Sequence, residues 1–331
     1  MGQKQSERRD FLRAAGAVAL GAGPLAAWAQ AAPTGKVIKL IVGFPPGQAT
    51  DTVTRLLADK MQAATGNTYV VDNRPGQGGS LALGVLAKSP PDGSTMMMVH
   101  MSAMATNPHL YKNVPYDAVK DFEAVGLVGD LPFVMVCNPS LPVQNVAELV
   151  AYAKAHPNKL TNSSSGNGTV SHLAMEEFKR QAGVAITHVP YKGSAQGITD
   201  VIAGTVSMAL ETAPAVQPFV QSGKLRALAA GTTKRLAWIP NVPTLAELGY
   251  NGINAVTWLM LIYPAGTPKA MVNSHFEAIN KIVAMPEIEQ RFASLGVLPR
   301  SSKSPDEADA YIRSEFVAWG AVVKRSGTVL E

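Results

Sequence analysis

A single cysteine, Cys137, occurs among the 331 residues, so no internal disulfide can form. Stability has to come from a buried core. Charge is also scarce: charged residues make up 16% of the chain, and the net charge is +5. It drops to +3 without residues 1–31, which carry Lys4, Arg8, Arg9 and Arg13 against Glu7 and Asp10. No Lys/Arg cluster interleaved with aromatics occurs, which argues against a nucleic-acid partner. Walker A, H-E-x-x-H and C-x-x-C patterns are absent, and with them the chemistries they signal. Low-complexity linkers and internal repeats are missing too. The apolar run 14–27 is too short, and too rich in Ala and Gly, to serve as a membrane anchor. Neither a cofactor nor a metal is expected.

What is present begins with Ser6-Glu7-Arg8-Arg9-Asp10-Phe11-Leu12-Arg13, a twin-arginine pattern ahead of that apolar run. Ala29-Gln30-Ala31 fits small-x-small cleavage. Residues 1–31 are therefore expected to be an export signal, cleaved near Ala31 to leave a soluble periplasmic protein. Glu7 stands where twin-arginine signals usually carry Ser or Thr, so Tat and Sec export both stay open. No cysteine near the cleavage point offers a lipid attachment site.

The rest of the chain is organised around residues 40–51. A β-branched run over 36–42 predicts a buried strand. Pro45 and Pro46 then forbid helix until Gly47 releases the chain. A helix follows from Thr50-Asp51, with Val53, Leu56, Leu57 and Met61 on one face and Gly66 as its stop. Further strands are predicted at 68–71, 94–99, 160–163, 186–189, 206–210, 225–230 and 253–262. Residues 125–128 and 133–137 read as two short runs split by Asp130-Leu131-Pro132, and residues 100–108 as a polar and methionine loop. Asn145 with Glu148 three residues on marks a capped helix.

Strands alternating with helices predict parallel α/β sheets. The length suits two domains, and with no linker the chain should cross over and back. Domain one would be residues 32–131 plus 256–331, with domain two, 132–255, inserted. The crossings would fall near 133–137 and 255–261, where the chain would bend as a hinge.

One device recurs: a glycine-bearing loop after a strand and before a helix, at 45–47, 163–169 and 191–194. Such loops gather at the carboxyl ends of strands, where ligands sit, and helix N-termini there favour an anion. A carboxylate can thus be held without an arginine.

The runs Phe44-Pro45-Pro46-Gly47 with Asp51, Asn73-Arg74-Pro75-Gly76 with Gly78-Gly79, and Pro91-Asp92-Gly93 belong to a wider pattern. So do Asn107-Pro108, Leu110-Tyr111, Pro115-Tyr116-Asp117, His188-Val189-Pro190-Tyr191-Lys192-Gly193, Gly223-Lys224-Leu225-Arg226-Ala227-Leu228-Ala229 and Val242-Pro243-Thr244. Collinear from Lys36 to the C-terminus, the chain resembles the Bug-type solute-binding proteins of tripartite tricarboxylate transporters. That resemblance implies a two-domain periplasmic-binding-protein fold, a type II-like Venus flytrap with two crossovers. It implies capture of a small organic carboxylate or amino acid for the transporter's membrane permease subunits, and no enzymatic turnover.

Carried over by position, the resemblance implies ligand contacts at Phe44, Pro46, Gly47, Gln48, Thr50 and Asp51 in the first loop. It adds Ser102 and Asn107 beside it, Ser164, Ser165, Gly168 and Thr169 in the serine loop, and Tyr191, Gly193 and Ser194 in the next. Gln48 departs from the family, which usually has a second Gly there, and its amide would bond the ligand or narrow the pocket. Glu211 stands where the family varies. Ionised and facing the cleft, it would disfavour a second carboxylate; the plainer reading is a solvated or capping acid.

Other readings carry less. Gly166-Asn167-Gly168-Thr169-Val170-Ser171 lacks the third glycine of a dinucleotide loop. Ser164 or Ser165 with His172 has no nucleophile elbow. His100, Met101 and Met104 offer soft ligands, but a cleft-side methionine wall for an organic ligand fits them better. A sensor subunit of a two-component system and a periplasmic enzyme are the competing functions.

Overall fold

The computed structural model describes residues 35–326. The export signal predicted over 1–31, and its cleavage near Ala31, lie outside them. The first strand, β1 (Val37–Val42), leads into helix α1 (Ala49–Thr65). The helix buries Val53, Leu57 and Met61 along one face and stops at Gly66, in the left-handed region at φ 72°. Next come β2 (Thr68–Asn73), α2 (Ser80–Ala87) and β3 (Thr95–His100). The segment after β3 is not the loop expected: Ser102–Thr106 forms a π-helical turn that runs into α3 (Asn107–Leu110).

Strand β4 (Phe122–Cys137) is continuous over 16 residues. The two runs expected on either side of Asp130-Leu131-Pro132 are therefore one element. Pro132 is tolerated because the strand changes partners there. From Phe122 to Pro132 it pairs with β9 (Val256–Pro264), and from Phe133 to Cys137 with β7 (Met208–Thr212) and β8 (Arg226–Ala230). Between them lie α4 (Val146–Ala155), β5 (Thr161–Ser164), α5 (Val170–Ala182), β6 (Thr187–Pro190), α6 (Ser194–Ala203) and α7 (Ala213–Gln221). After β9 the chain ends in α8 (Lys269–Val283), α9 (Pro286–Leu295), β10 (Leu298–Pro299) and α10 (Pro305–Ser326).

The strand order is β2-β1-β3-β9-β4-β7-β5-β6, with β8 and β10 both on β4. Pairs β1/β2, β1/β3, β5/β6 and β5/β7 are parallel, as alternation with helices predicts. Strands β4, β8, β9 and β10 pair antiparallel, against that expectation. They enter from the other half of the molecule or from a return loop, with no crossover helix to fix their direction.

The sheet thus falls into two halves joined through β4. At the join Phe133 N donates to Ala255 O at 3.0 Å, Gly231 N to Phe133 O at 2.8 Å and Ala255 N to Gly231 O at 2.7 Å. Each half has its own apolar packing. Leu40, Val53, Leu57 and Ile279 pack in the first, and Val134, Ile198, Val201 and Val216 in the second. Among the described residues no helix is long and apolar enough to cross a membrane.

Candidate functional site

The loop ends of both halves meet around one cavity of about 30 Å³. The first half contributes Phe44, Gln48, Ala49 and Thr50 from the β1–α1 connection, with His100 and Ser102 from the end of β3. The second contributes Ser165, Thr169 and Val170 from the β5–α5 loop, Ser194 at the start of α6, and Thr212 at the end of β7. Leu131 and Phe133 of β4 and Thr257 of β9 form the floor, where the chain crosses. So small a volume is far below that of an ordinary ligand pocket, which marks a closed arrangement.

Helices α1, α5, α6 and α7 all begin here, at Gln48, Thr169, Gly193 and Thr212, and none has a side-chain cap. Helices α2, α3, α8 and α9 lack one too, whereas α4 is capped by Asn145, whose Oδ1 accepts from Glu148 N at 2.9 Å; what sets the cavity helices apart is where they begin. Four open helix starts from two halves leave first-turn N–H groups and partial positive charge directed at the same place. Thr50, Ser102, Thr212 and Thr257 add hydroxyls, those of Ser165, Thr169 and Ser194 are bonded to Ser171 Oγ, Gly166 O and Glu211, and no Lys or Arg lines the cavity. The Thr212 and Thr257 hydroxyls are buried without a hydrogen-bond partner. Polar contacts of this kind hold an anion by dipoles alone.

The loops are held from behind. Asp51 accepts from Gly47 N at 2.8 Å, from Asn73 Nδ2 at 2.8 Å and from Arg55 Nε at 3.0 Å. Burial pushes its carboxyl up, but the bonds from Arg55, Gly47 and Asn73 outweigh that and hold it below the usual carboxylate range. Asn107 Nδ2 reaches Gln77 O and Ser80 Oγ, both at 2.8 Å, and so pins the glycine-rich turn before α2. His100 packs on Phe44 with ring centroids 4.5 Å apart, and its Nδ1 accepts from Ser102 N at 3.3 Å. Burial lowers the His100 pKa to about 3, so the ring is neutral.

Of the residues singled out in the sequence, Phe44, Gln48, Thr50, Ser102, Ser165, Thr169 and Ser194 line the cavity. Pro46, Gly47, Asp51, Asn107, Ser164, Gly168, Tyr191, Gly193 and Glu211 do not. Gly47 lies in an adjoining groove of about 310 Å³, and Tyr191 in one of about 520 Å³. The Tyr191 hydroxyl donates to Asp200, which turns it from the cavity. Asp51 and Asn107 are consumed by the loop bonds described above. Gly168 latches the halves: its carbonyl accepts from Thr106 Oγ1 at 2.9 Å across the cleft. Gly193 lies against the Gln48 amide. Glu211 is 1% exposed, so it is neither solvated nor a helix cap. Met101 and Met104 are buried in the core rather than forming a cleft wall; Phe44, Leu131, Phe133 and Val170 supply the apolar lining instead. Ala49, Val170, Leu131, Phe133, Thr212 and Thr257 were not marked by the sequence. Only the polar ends of predicted strands, here Thr212 after Glu211, carried any signal for them.

Ser164 Oγ stands 2.7 Å from His188 Nε2, but this pair is outside the cavity and the hydroxyl also meets Gly166 O. His172, Glu176 and His188 bring their ligand atoms within 4.8 Å of one another. Lys179 pairs with Glu176, and the two rings stack at 4.2 Å with an interplanar angle of 14°. Gly168 N donates to His172 Nδ1 at 3.2 Å. Charge and ring orientation here suit two neutral, packed histidines better than a cation.

Comparison with known proteins agrees with this geometry. The family described as "Tripartite tricarboxylate transporter family receptor" matches residues 53–328. Protein BugT of Bordetella pertussis (strain Tohama I) is 37% identical over 298 residues, covering 89% of this chain and 90% of BugT. The structure of R. palustris Rpa4515 with adipate is 33% identical with a TM-score of 0.86, covering 90% of this chain and 99% of that one. MatC from Rhodopseudomonas palustris with bound malate is 26% identical with a TM-score of 0.81, over 87% of this chain and 99% of MatC.

Proposed function

The chain belongs to the tripartite tricarboxylate transporter receptor family, and on that premise we propose that it captures a small organic carboxylate in the periplasm and delivers it to membrane permease subunits. The observation that carries the reading is the meeting of four helix starts, from both halves, at one cavity lined by no Lys or Arg. Each such terminus contributes about 0.3–1 kcal/mol toward an anion, more when buried. A carboxylate held this way keeps its charge without an arginine partner. Similar receptors carry adipate and malate, and both belong to the class the cavity suits. We place the domain boundaries at 131/132 and 255/256, where β4 changes partners and the chain returns.

Binding without turnover is the corresponding chemistry, and it rests on the similarity to solute-binding receptors. The test is a thermal-shift screen of the protein without residues 1–31 against adipate, malate, other di- and tricarboxylates, amino acids and aromatic acids. A raised melting temperature with unchanged acid, followed by chromatography, supports a receptor. Conversion of the acid overturns it, as does a screen in which no acid shifts the melt.

A further inference from the structure

Glu211 lies directly beneath the cavity. Its carboxyl is 1% exposed. Oε2 is 2.9 Å from Ser194 Oγ and accepts from Thr212 N at 3.1 Å, and both residues line the cavity. Oε1 is buried and makes no hydrogen bond of ordinary geometry, with the Ser165 and Ser171 hydroxyls near the carboxyl. Val134 faces it from β4. The titratable groups on the elements around it are engaged elsewhere. On α5, His172 bonds Gly168, Glu176 pairs with Lys179, and Glu177 with Arg180. On α6, Asp200 bonds Tyr191; on β6, His188 bonds Ser164. On β4, Glu123 pairs with Lys269 and Asp130 with Arg300; on β8, Arg226 bonds Val143 O.

A buried carboxylate with no cation beside it is a costly arrangement, and the neutral acid costs less in the same place. The serines decide what that means for a ligand. An ionised Glu211 draws the Ser194 proton toward itself and turns oxygen lone pairs to the cavity, where they repel an anion. A neutral Glu211 donates its own proton to Ser194 Oγ, and the Ser194 hydrogen is then free to point at the cavity.

We propose that Glu211 is a neutral acid in the closed receptor and that it orients Ser194 as a donor to the ligand's carboxylate, so that binding an acid takes up one proton. The proposal rests on the carboxylate reading above. When the halves are apart, water reaches Ser194 and Glu211 ionises. On closure the ligand carboxylate enters with its charge, one proton passes from solvent to Glu211, and no other bond changes. Burial pushes the carboxyl up, with the hydroxyls of Ser194, Ser165 and Ser171 and the Thr212 N–H opposing it, in the direction the proposal needs. Glu211 is a positioning residue: it touches Ser194, not the ligand.

The test is calorimetric titration with adipate and with malate near pH 8, in buffers of different protonation enthalpy, on the wild type and Glu211→Gln. The wild type should take up close to one proton per acid bound and lose affinity about tenfold per pH unit on the alkaline side. Glu211→Gln, which has no carboxyl to titrate, should take up none and show a flat profile. Infrared difference spectra of the wild-type complex at pH 7 should contain the carbonyl stretch of a protonated carboxylic acid. That band should be missing in Glu211→Gln, and it reports the same point without requiring the variant to fold equally well. Equal proton uptake in both proteins, or a complex without the protonated band, overturns this proposal and leaves the carboxylate reading standing. Binding of neither acid, with no other acid in the screen binding, removes both.

Discussion

Gln48 and Gly193 touch across the cleft: a methyl group on Gly193 would stand 2.0 Å from Gln48 Nε2. Gln48 opens α1 without using its side chain as a cap, so the amide is free to cross. The backbone of Gly193 is extended, at φ 164° and ψ 172°, and accepts alanine without strain. Gly193→Ala should therefore act on the cleft alone, displacing the amide and weakening the acid-bound state by about 1 kcal/mol, roughly fivefold in Kd. Gln48→Gly should reorder the acids in a binding panel while moving the ligand-free melting temperature little. The double variant should recover the affinity lost in Gly193→Ala; if it does not, the two residues act independently.

The Thr106–Gly168 bond is the second contact between halves. Thr106 Oγ1 is 2.9 Å from both Gly168 O and Ser102 O, so one proton serves two carbonyls. Thr106→Val keeps the shape and should weaken acid binding by about 0.5–1.5 kcal/mol, the ordinary net value of such a bond. Gly168 has φ 78°, where a β-branched residue is strained. Gly168→Val should abolish the acid-induced melting shift, and isothermal titration on the folded variant checks this.

Asp51 anchors the first loop, and its variants should read as stability as well as binding. Its folded pKa lies below the usual value. The contribution is therefore present above the ordinary carboxyl range and is lost as pH falls through the depressed pKa. Asp51→Asn should cost about 2 kcal/mol, the scale of a hydrogen bond to a charged group. Urea denaturation at neutral pH measures it, and the difference from wild type should shrink in acid.

Histidines give the opposite flank of the acid profile. His100 and His188 are both lowered to about 3, chiefly by burial, with His172 and Lys179 adding to the effect on His188. Unfolded histidines take up protons near 6.5 while the folded rings stay neutral, so stability is intact above that value. It should fall as pH drops from there toward 3, with a slope of up to about 1.4 kcal/mol per pH unit for each ring. Urea midpoints between pH 7 and pH 4 test the slope, and His188→Gln should make it shallower.

Local rules made much of this readable. The β1–α1 unit, the Gly66 stop and the Asn145–Glu148 cap all follow from neighbours a few residues apart. The serine loop and the α6 start were visible for the same reason. What escaped depends on distant partners. Pro132 looks like a break, yet β4 passes through it, because pairing with Val256 ends there and pairing with Thr212 begins at Phe133. Leu131, Phe133 and Thr257 reach the cavity only because two strands cross beneath it. Met101 and Met104 belong to a helical turn whose π-type winding buries them, and nothing in their spacing tells a wall from a core. The burial of Glu211 depends on α6 bringing Ser194 over it, a contact spanning 17 positions in the chain.

The open starts of α1, α5, α6 and α7 are shared between two bodies, and that arrangement governs letting go as much as holding. An arginine-based grip would travel with whichever half carried it, and the solute would have to be peeled from it. Here the grip is a composite that belongs to neither half, so a small rotation about the shared strand dismantles it. On the function proposed above, unloading would then require only mechanical work from the membrane partner, with no competing anion needed to dislodge the cargo.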